Sequence, residues 1–273
     1  MSSFRHSIKE SNAGAYLLLF GSFLLFVIVS VIFVELVGPR WATLLAEVFG
    51  ILAAALIWRA VMKGAAADWP EHGVRSSPAV LVVVVLAASA IGLFANSITS
   101  LLVETIPFMA EYAEGYAEQL KELVFDADGL NYWVGMVAVC VAAPLCEEAL
   151  FRGTILQEQR KVEGQWLAVI INGLIFAAFH VNPVSGPGLV IVGSFLAYVT
   201  VKSGSLLPAI VGHAAINTNS ALVLPALFPE MIAEDQEIEM SVILSSLVLF
   251  GLLSAGLWRL TAAALERETS ERE

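Results

Sequence analysis

Pro144-Leu145-Cys146-Glu147-Glu148-Ala149-Leu150-Phe151-Arg152-Gly153 sets two adjacent carboxylates and an arginine at the end of an apolar run, residues 134–145. An ionisable side chain at membrane depth costs roughly 2.5–3.5 kcal/mol on insertion scales, so its default reading is a functional site with a nearby partner. The surrounding chain has 273 residues, 58% hydrophobic and 14% charged, whereas a soluble domain is about one-quarter charged. Apolar runs near 20 residues recur from end to end. They suit helices rather than barrel strands, which would be about 10 residues long with alternating polarity. The expected fold is all-α: a polytopic membrane helical bundle of about eight transmembrane helices, forming one integral membrane domain over residues 1–273. No internal repeat is visible. Cys140 and Cys146 share one segment, about 9 Å apart along a helix, beyond disulfide reach, and read as core fillers.

Working outward, the spans fall at 15–37, 42–62, 79–103, 130–156, 165–181, 189–201, 206–227 and 240–260. The first is too long for a signal-peptide core and is expected to remain as a mature helix. Between the third and fourth lies an acidic connector, residues 104–129, with seven acids against Lys121. Within it, 108–125 reads as an amphipathic helix resting on the protein or on headgroups. A second acidic loop covers 229–239. With eight spans, twelve of the lysines and arginines fall on the side of the termini, and only Arg40 and Lys121 on the other. That bias puts both termini in the cytoplasm of a multi-pass protein, expected in the plasma membrane.

Further polar groups sit in the fifth and seventh spans: His180 after Phe176-Ala177-Ala178-Phe179, and His213 and Asn217 in Gly212-His213-Ala214-Ala215-Ile216-Asn217. Residues four apart share a helix face, which pairs Glu148 with Arg152 and His213 with Asn217. Glu147 points about 100° away from Glu148 on a 3.6-residue turn, so the two carboxylates have different neighbours. Glu147 lies 17 residues before the turn at Gly164 and His180 lies 16 after it, so an antiparallel hairpin brings them to one height. The polar stretch 157–163 suggests that this hairpin projects beyond the membrane, leaving all these groups about 10–15 Å below the cytoplasmic surface by helical rise.

These residue types allow hydrolysis. A carboxylate in apolar surroundings can serve as a general base near neutral pH, and a histidine beside it can share and orient the water. A second histidine and an asparagine amide can donate to a developing oxyanion, worth about 3–4 kcal/mol per donor in known cases. Pro144 removes one backbone hydrogen bond and can kink the helix near Glu147. Glu, His and His are also a catalytic zinc set, although no His-Glu-x-x-His helix is present.

Glu147-Glu148-x-x-x-Arg152, Phe176-x-x-x-His180 and His213-x-x-x-Asn217, in that order on separate spans, resemble the three motifs of the CPBP (Abi) family. That family contains type II CAAX prenyl endopeptidases and bacteriocin-processing relatives. The resemblance covers about 130–219, which it marks as a catalytic core. It implies intramembrane endopeptidase chemistry at a cytosol-facing cavity, with Glu147 and His180 activating water, His213 and Asn217 as oxyanion donors, and Glu148 and Arg152 in support. A metal-free, glutamate-type mechanism without a required cofactor is favoured; zinc, if present, would lie on Glu147, His180 and His213. The expected partners are membrane lipid and a membrane-associated peptide or protein substrate, with no nucleic acid. Prenyl specificity does not carry over.

The alternative is a non-catalytic membrane protein, a peptide-binding pseudo-enzyme or a transporter, using the same polar cavity. Asn96, Asn172 and Asn219 read as interhelical hydrogen-bonding groups. Glu47 reads as a packed, protonated or cavity-facing acid rather than a catalyst, and His6 and His72, in loops, have no evident role.

Overall fold

The apolar stretches fold as helices whose large side chains face outward. In α1 (Ala13–Val37), Leu17, Phe20, Ile28, Val31 and Ile32 are exposed, and only 6% of its most apolar window is buried. Lipid tails solvate such a surface, while the backbone satisfies its own polar groups within the helix. The computed structural model describes residues 13–62, 76–120, 129–227 and 240–270, and among these every regular element is helical.

α1 is followed by α2 (Pro39–Val61), α3 (Pro78–Thr105), α4 (Pro107–Leu120), α5 (Gly129–Val162), α6 (Gln165–Phe179), α7 (Gly186–Ser203), α8 (residues 207–227) and α9 (Met240–Ser270). Six of these, α1, α2, α3, α5, α7 and α9, contain a stretch long and apolar enough to cross a membrane. Helices also stand at the other two expected places, but α6 has 15 residues, and α8 carries His213, Asn217, Thr218 and Asn219 in its middle. The chain is therefore a polytopic helical bundle with six candidate spans.

Of the acidic connector, α4 forms its first part, with Phe108 and Tyr112 edge to face at 5.4 Å. Residues 121–128 and 228–239 lie outside the described residues, as do His6 and His72.

The two largest of the apolar clusters among the described residues hold the bundle. In the first, α3 presents one face of small and branched residues (Val80, Val84, Ala87, Ala88, Ile91, Ala95) to Leu196 and Val199 of α7, Ala209 of α8 and Leu257 of α9. Its spacing of three and four follows one helical stripe. In the second, Ala15 of α1 and Ile51 and Ala55 of α2 pack on Cys146, Ala149, Leu150, Phe151 and Ile155 of α5 and Phe176 of α6. Both cysteines are free. Gly164, at φ +77°, makes the α5–α6 turn and Gly204, at φ +63°, ends α7; both conformations favour a residue without Cβ. The polar stretch 157–163 is not wholly solvated. Glu158 and Gln159 are buried, because Glu158 pairs with Lys161 at 2.9 Å and Gln159 accepts from Asn172. Asn219 bonds Ser89 across α8 and α3 at 2.7 Å, whereas Asn96 lies on an exposed part of α3.

Candidate active site

The glutamate pair stands on a stretch of α5 bounded by two π-helical turns, Ala138–Ala142 and Phe151–Ile155. Pro144 has no N–H to give the carbonyl one turn back, and the helix passes that gap through the first wide turn. Side chains take up carbonyls around both turns. Thr154 Oγ1 donates to the Ala149 carbonyl at 3.0 Å, and Gln157 Nε2 to that of Arg152 at 2.8 Å. Asn172 Nδ2 of α6 donates to the Phe151 carbonyl at 3.1 Å, and Asn217 Nδ2 of α8 to that of Val139 at 2.8 Å. Single-turn π segments are frequent at functional sites. Here they are clasped from two neighbouring helices, which fixes the orientation of Glu147 and Glu148.

Glu148 is the buried anchor. Its Oε1 accepts from Arg152 Nη1 at 2.8 Å and lies 2.9 Å from His213 Nδ1; the carboxylate and the guanidinium are both 0% exposed. A carboxylate held by an arginine can only accept, so Nδ1 of His213 donates. Arg152 Nη2 donates to the Gly193 carbonyl at 2.8 Å, and its guanidinium carbon lies 4.5 Å from the Phe176 ring centre. Phe176 also touches both histidines, with ring centres 4.7 Å from His180 and 5.7 Å from His213. It is therefore the shared wall between the anchor and the open side of the site. The approach of α7 depends on glycine, because a Cβ on Gly193 would stand 3.0 Å from the Gly173 Cα and from the Phe176 ring.

Glu147 faces away from this anchor. Its Oε2 has no hydrogen-bond partner among the described residues and lies 4.0 Å from His180 Nε2. The His180 side chain is 30% exposed, so the site opens on that side. His180 Nδ1 is 2.8 Å from the Phe176 carbonyl. A carbonyl can only accept, so Nδ1 carries the hydrogen, and Nε2 of the neutral ring presents a lone pair toward Glu147.

α6 ends at His180 because the next residue, Val181, takes φ +48°. For a β-branched residue that left-handed conformation is strained, by about 1–2 kcal/mol. Asn182 then accepts from the backbone N–H groups of Val184 and Ser185 at 2.9 and 3.2 Å, turning the chain into α7. Val181→Asn, which tolerates this conformation, is expected to stabilise the protein by about 1 kcal/mol with cleavage unchanged. Thermal unfolding in detergent measures it, and an unaltered or lowered midpoint would contradict it.

The structure thus joins Glu148, Arg152 and His213 directly and sets Glu147 against His180. Asn217 sits on α8 one turn from His213, one of its N–H groups committed to Val139. Phe176 stands in a motif, but its role as platform, and the Gly193 carbonyl as acceptor, had no sequence signal beyond the small residues Gly173 and Gly193. Among the described residues no group of three His, Cys, Asp or Glu is arranged to hold a metal ion. Glu147, His180 and His213 are accordingly not placed as a zinc set.

A family model described as type II CAAX prenyl endopeptidase Rce1-like matches residues 129–219. This stretch is similar to that family, and it carries the three CPBP (Abi) motifs. The Rce1-like segment spans α5 to the polar middle of α8 and includes all seven residues of the three motifs. No curated protein and no solved structure matches the chain. With six helices apolar and long enough to cross a membrane, the chain is an integral membrane protein, and residues 129–219 within it are similar to a family of proteases.

Proposed function

We propose that the chain is an intramembrane endopeptidase that hydrolyses a peptide bond of a membrane-associated protein or peptide by a glutamate-activated water. One observation carries the reading: Glu147 Oε2 and His180 Nε2, both acceptors, stand 4.0 Å apart, with the His180 side chain toward the open side of the site. That is longer than a direct hydrogen bond and suits one bridging water. Such a water donates both hydrogens to the protein and turns an oxygen lone pair toward the substrate carbonyl. As it attacks, Glu147 takes one proton and can return it to the leaving amine.

The carbonyl oxygen gains charge in that step. His213 Nε2 and the second N–H of Asn217 are the proposed donors to it. For Nε2 to donate, both nitrogens of the ring must carry hydrogen, and Glu148, 2.9 Å from Nδ1, is the counter-ion for that form. Arg152 holds Glu148 in place through a bond of 2.8 Å. Residues 130–219 are the catalytic core in this reading, within eight spans whose termini face the cytoplasm of the cell membrane.

The test is cleavage by purified protein in lipid vesicles, with a library of membrane-inserted peptides read by mass spectrometry for new termini. New termini are expected with wild type and not with Glu147→Gln. Binding without cleavage across the library would favour a non-catalytic peptide binder instead.

A further inference from the structure

We infer that the groove between α6, α7 and α9 binds one anionic phospholipid, with an acyl chain along the groove and the phosphate at Lys202. The inference goes beyond the cleavage chemistry, because no residue of the three motifs lines this groove.

The helix arrangement makes the groove. α9 packs along α3 and meets α7 only sparsely. Ile191, Phe195 and Tyr198 of α7 form a floor, with Val169 of α6 and Phe250 and Ser254 of α9 beside it. Phe195 and Phe250 meet edge to face, ring centres 5.4 Å apart, where α7 and α9 touch. The groove is almost wholly apolar and holds about 470 Å³, within the range of about 300–1,000 Å³ that small-molecule sites occupy.

All three helices carry this face on to one edge of the bundle. Residues three and four apart share a helix face, so the groove continues from Tyr198 to Lys202, from Ser254 to Trp258 and from Val169 to Trp166. Printed side by side, these next residues are aromatic or cationic, and they touch one another. Trp166 stacks on Tyr198 with ring centres 6.3 Å apart. Lys202 Nζ lies 5.1 Å from the Trp166 ring centre and 3.1 Å from that of Trp258. Tyr198 therefore joins the groove to the cluster around Lys202. Trp166 is the second residue of α6 and Lys202 the last but one of α7. The cluster thus stands at helix ends, the headgroup depth at which tryptophan concentrates.

Charge selects the occupant. Among the described residues no carboxylate forms an ion pair with Lys202. The two indole faces attract its charge, and an ammonium has three donors, so donors remain for a phosphate. A zwitterionic phospholipid balances its phosphate with a cation of its own; an anionic one needs a cation from outside. An uncharged chain would fill the groove and leave Lys202 without a counter-ion. Ser254, one turn from Trp258, has an Oγ without a hydrogen-bond partner among the described residues. One turn is about 5.4 Å, which puts this hydroxyl below the phosphate, at the level of the glycerol esters.

The test is titration of the purified full chain in detergent with phosphatidylglycerol or phosphatidylcholine of the same acyl chains, with the first bound lipid counted by native mass spectrometry. Phosphatidylglycerol is expected to bind about fivefold more tightly, the worth of one lysine facing anionic lipid. Equal affinity for the two lipids would overturn the inference, and this comparison needs no variant. Lys202→Met keeps apolar contact with both indoles and is expected to abolish the preference; a preference that survives it would count against Lys202 as the phosphate partner. A purely structural Lys202 would shift the melting temperature and leave the lipid ratio alone. Ser254→Phe fills the groove and is expected to weaken both lipids about tenfold, roughly what two displaced methylenes are worth. Unchanged lipid binding in that variant would place the lipid elsewhere. Tighter binding of a neutral long-chain alcohol than of phosphatidylglycerol would assign the groove to an uncharged chain and overturn the inference.

Discussion

Glu147→Gln is expected to leave the protein folded and to lower cleavage by about 10²–10⁴-fold, the usual range for loss of a general base. Glutamine has nearly the same shape but cannot accept the proton of an attacking water. The substitution strands no protein partner, because Glu147 Oε2 has none among the described residues. Thermal unfolding should therefore move little while the initial rate collapses. Glu148→Gln should behave differently, because that carboxylate holds Arg152 at 2.8 Å and His213 at 2.9 Å. It is expected to lower the melting temperature as well as the rate. The measurement is cleavage of one membrane peptide by both variants, beside their melting curves. Wild-type rate in Glu147→Gln would remove Glu147 from the chemistry and with it the proposed reaction.

The difference between two adjacent glutamates was legible because helical geometry turns neighbours about 100° apart. The same geometry placed His180 level with Glu147, since they lie 16 and 17 residues from Gly164, and the two side chains stand 4.0 Å apart. Helix positions were legible from run length alone, because lipid admits few other structures. What periodicity missed was the set of π-helical turns at Glu47–Leu52, Ala138–Ala142, Phe151–Ile155 and Asn219–Val223. A pattern read at 3.6 residues per turn has no place for an extra residue in a turn. The turn at Glu47–Leu52 packs against the segment of α5 that carries Glu147, which no motif announces. Asn217 illustrates a related limit. Its spacing from His213 marks a shared face, but only the neighbouring wide turn explains why one of its N–H groups is needed by the Val139 carbonyl. Likewise Val181, an ordinary strand-forming residue by type, ends α6 at φ +48° because the chain must turn there to leave His180 at the helix end.

Arg152→Met is expected to destabilise the protein by about 3–5 kcal/mol, the usual cost of removing one partner of a buried pair. The guanidinium is 0% exposed and joins three helices. It bonds Glu148 within α5, donates to the Gly193 carbonyl of α7 at 2.8 Å, and stacks on Phe176 of α6 at 4.5 Å. Methionine fills much of the volume and keeps contact with the ring, so packing loss is a minor part of the cost. The larger part is electrostatic, because Glu148 is left charged and buried with only His213 beside it. The double variant Arg152→Met with Glu148→Gln removes that stranded charge and is expected to recover part of the stability, since an apolar or neutral replacement of a whole buried pair is often close to neutral. It is not expected to recover activity, because His213 then has no counter-ion for the doubly protonated form that the oxyanion requires. Urea or thermal unfolding of the two variants reads the first effect and peptide cleavage the second. A double variant no more stable than Arg152→Met would place the cost in the lost Gly193 and Phe176 contacts instead of in the unpaired carboxylate.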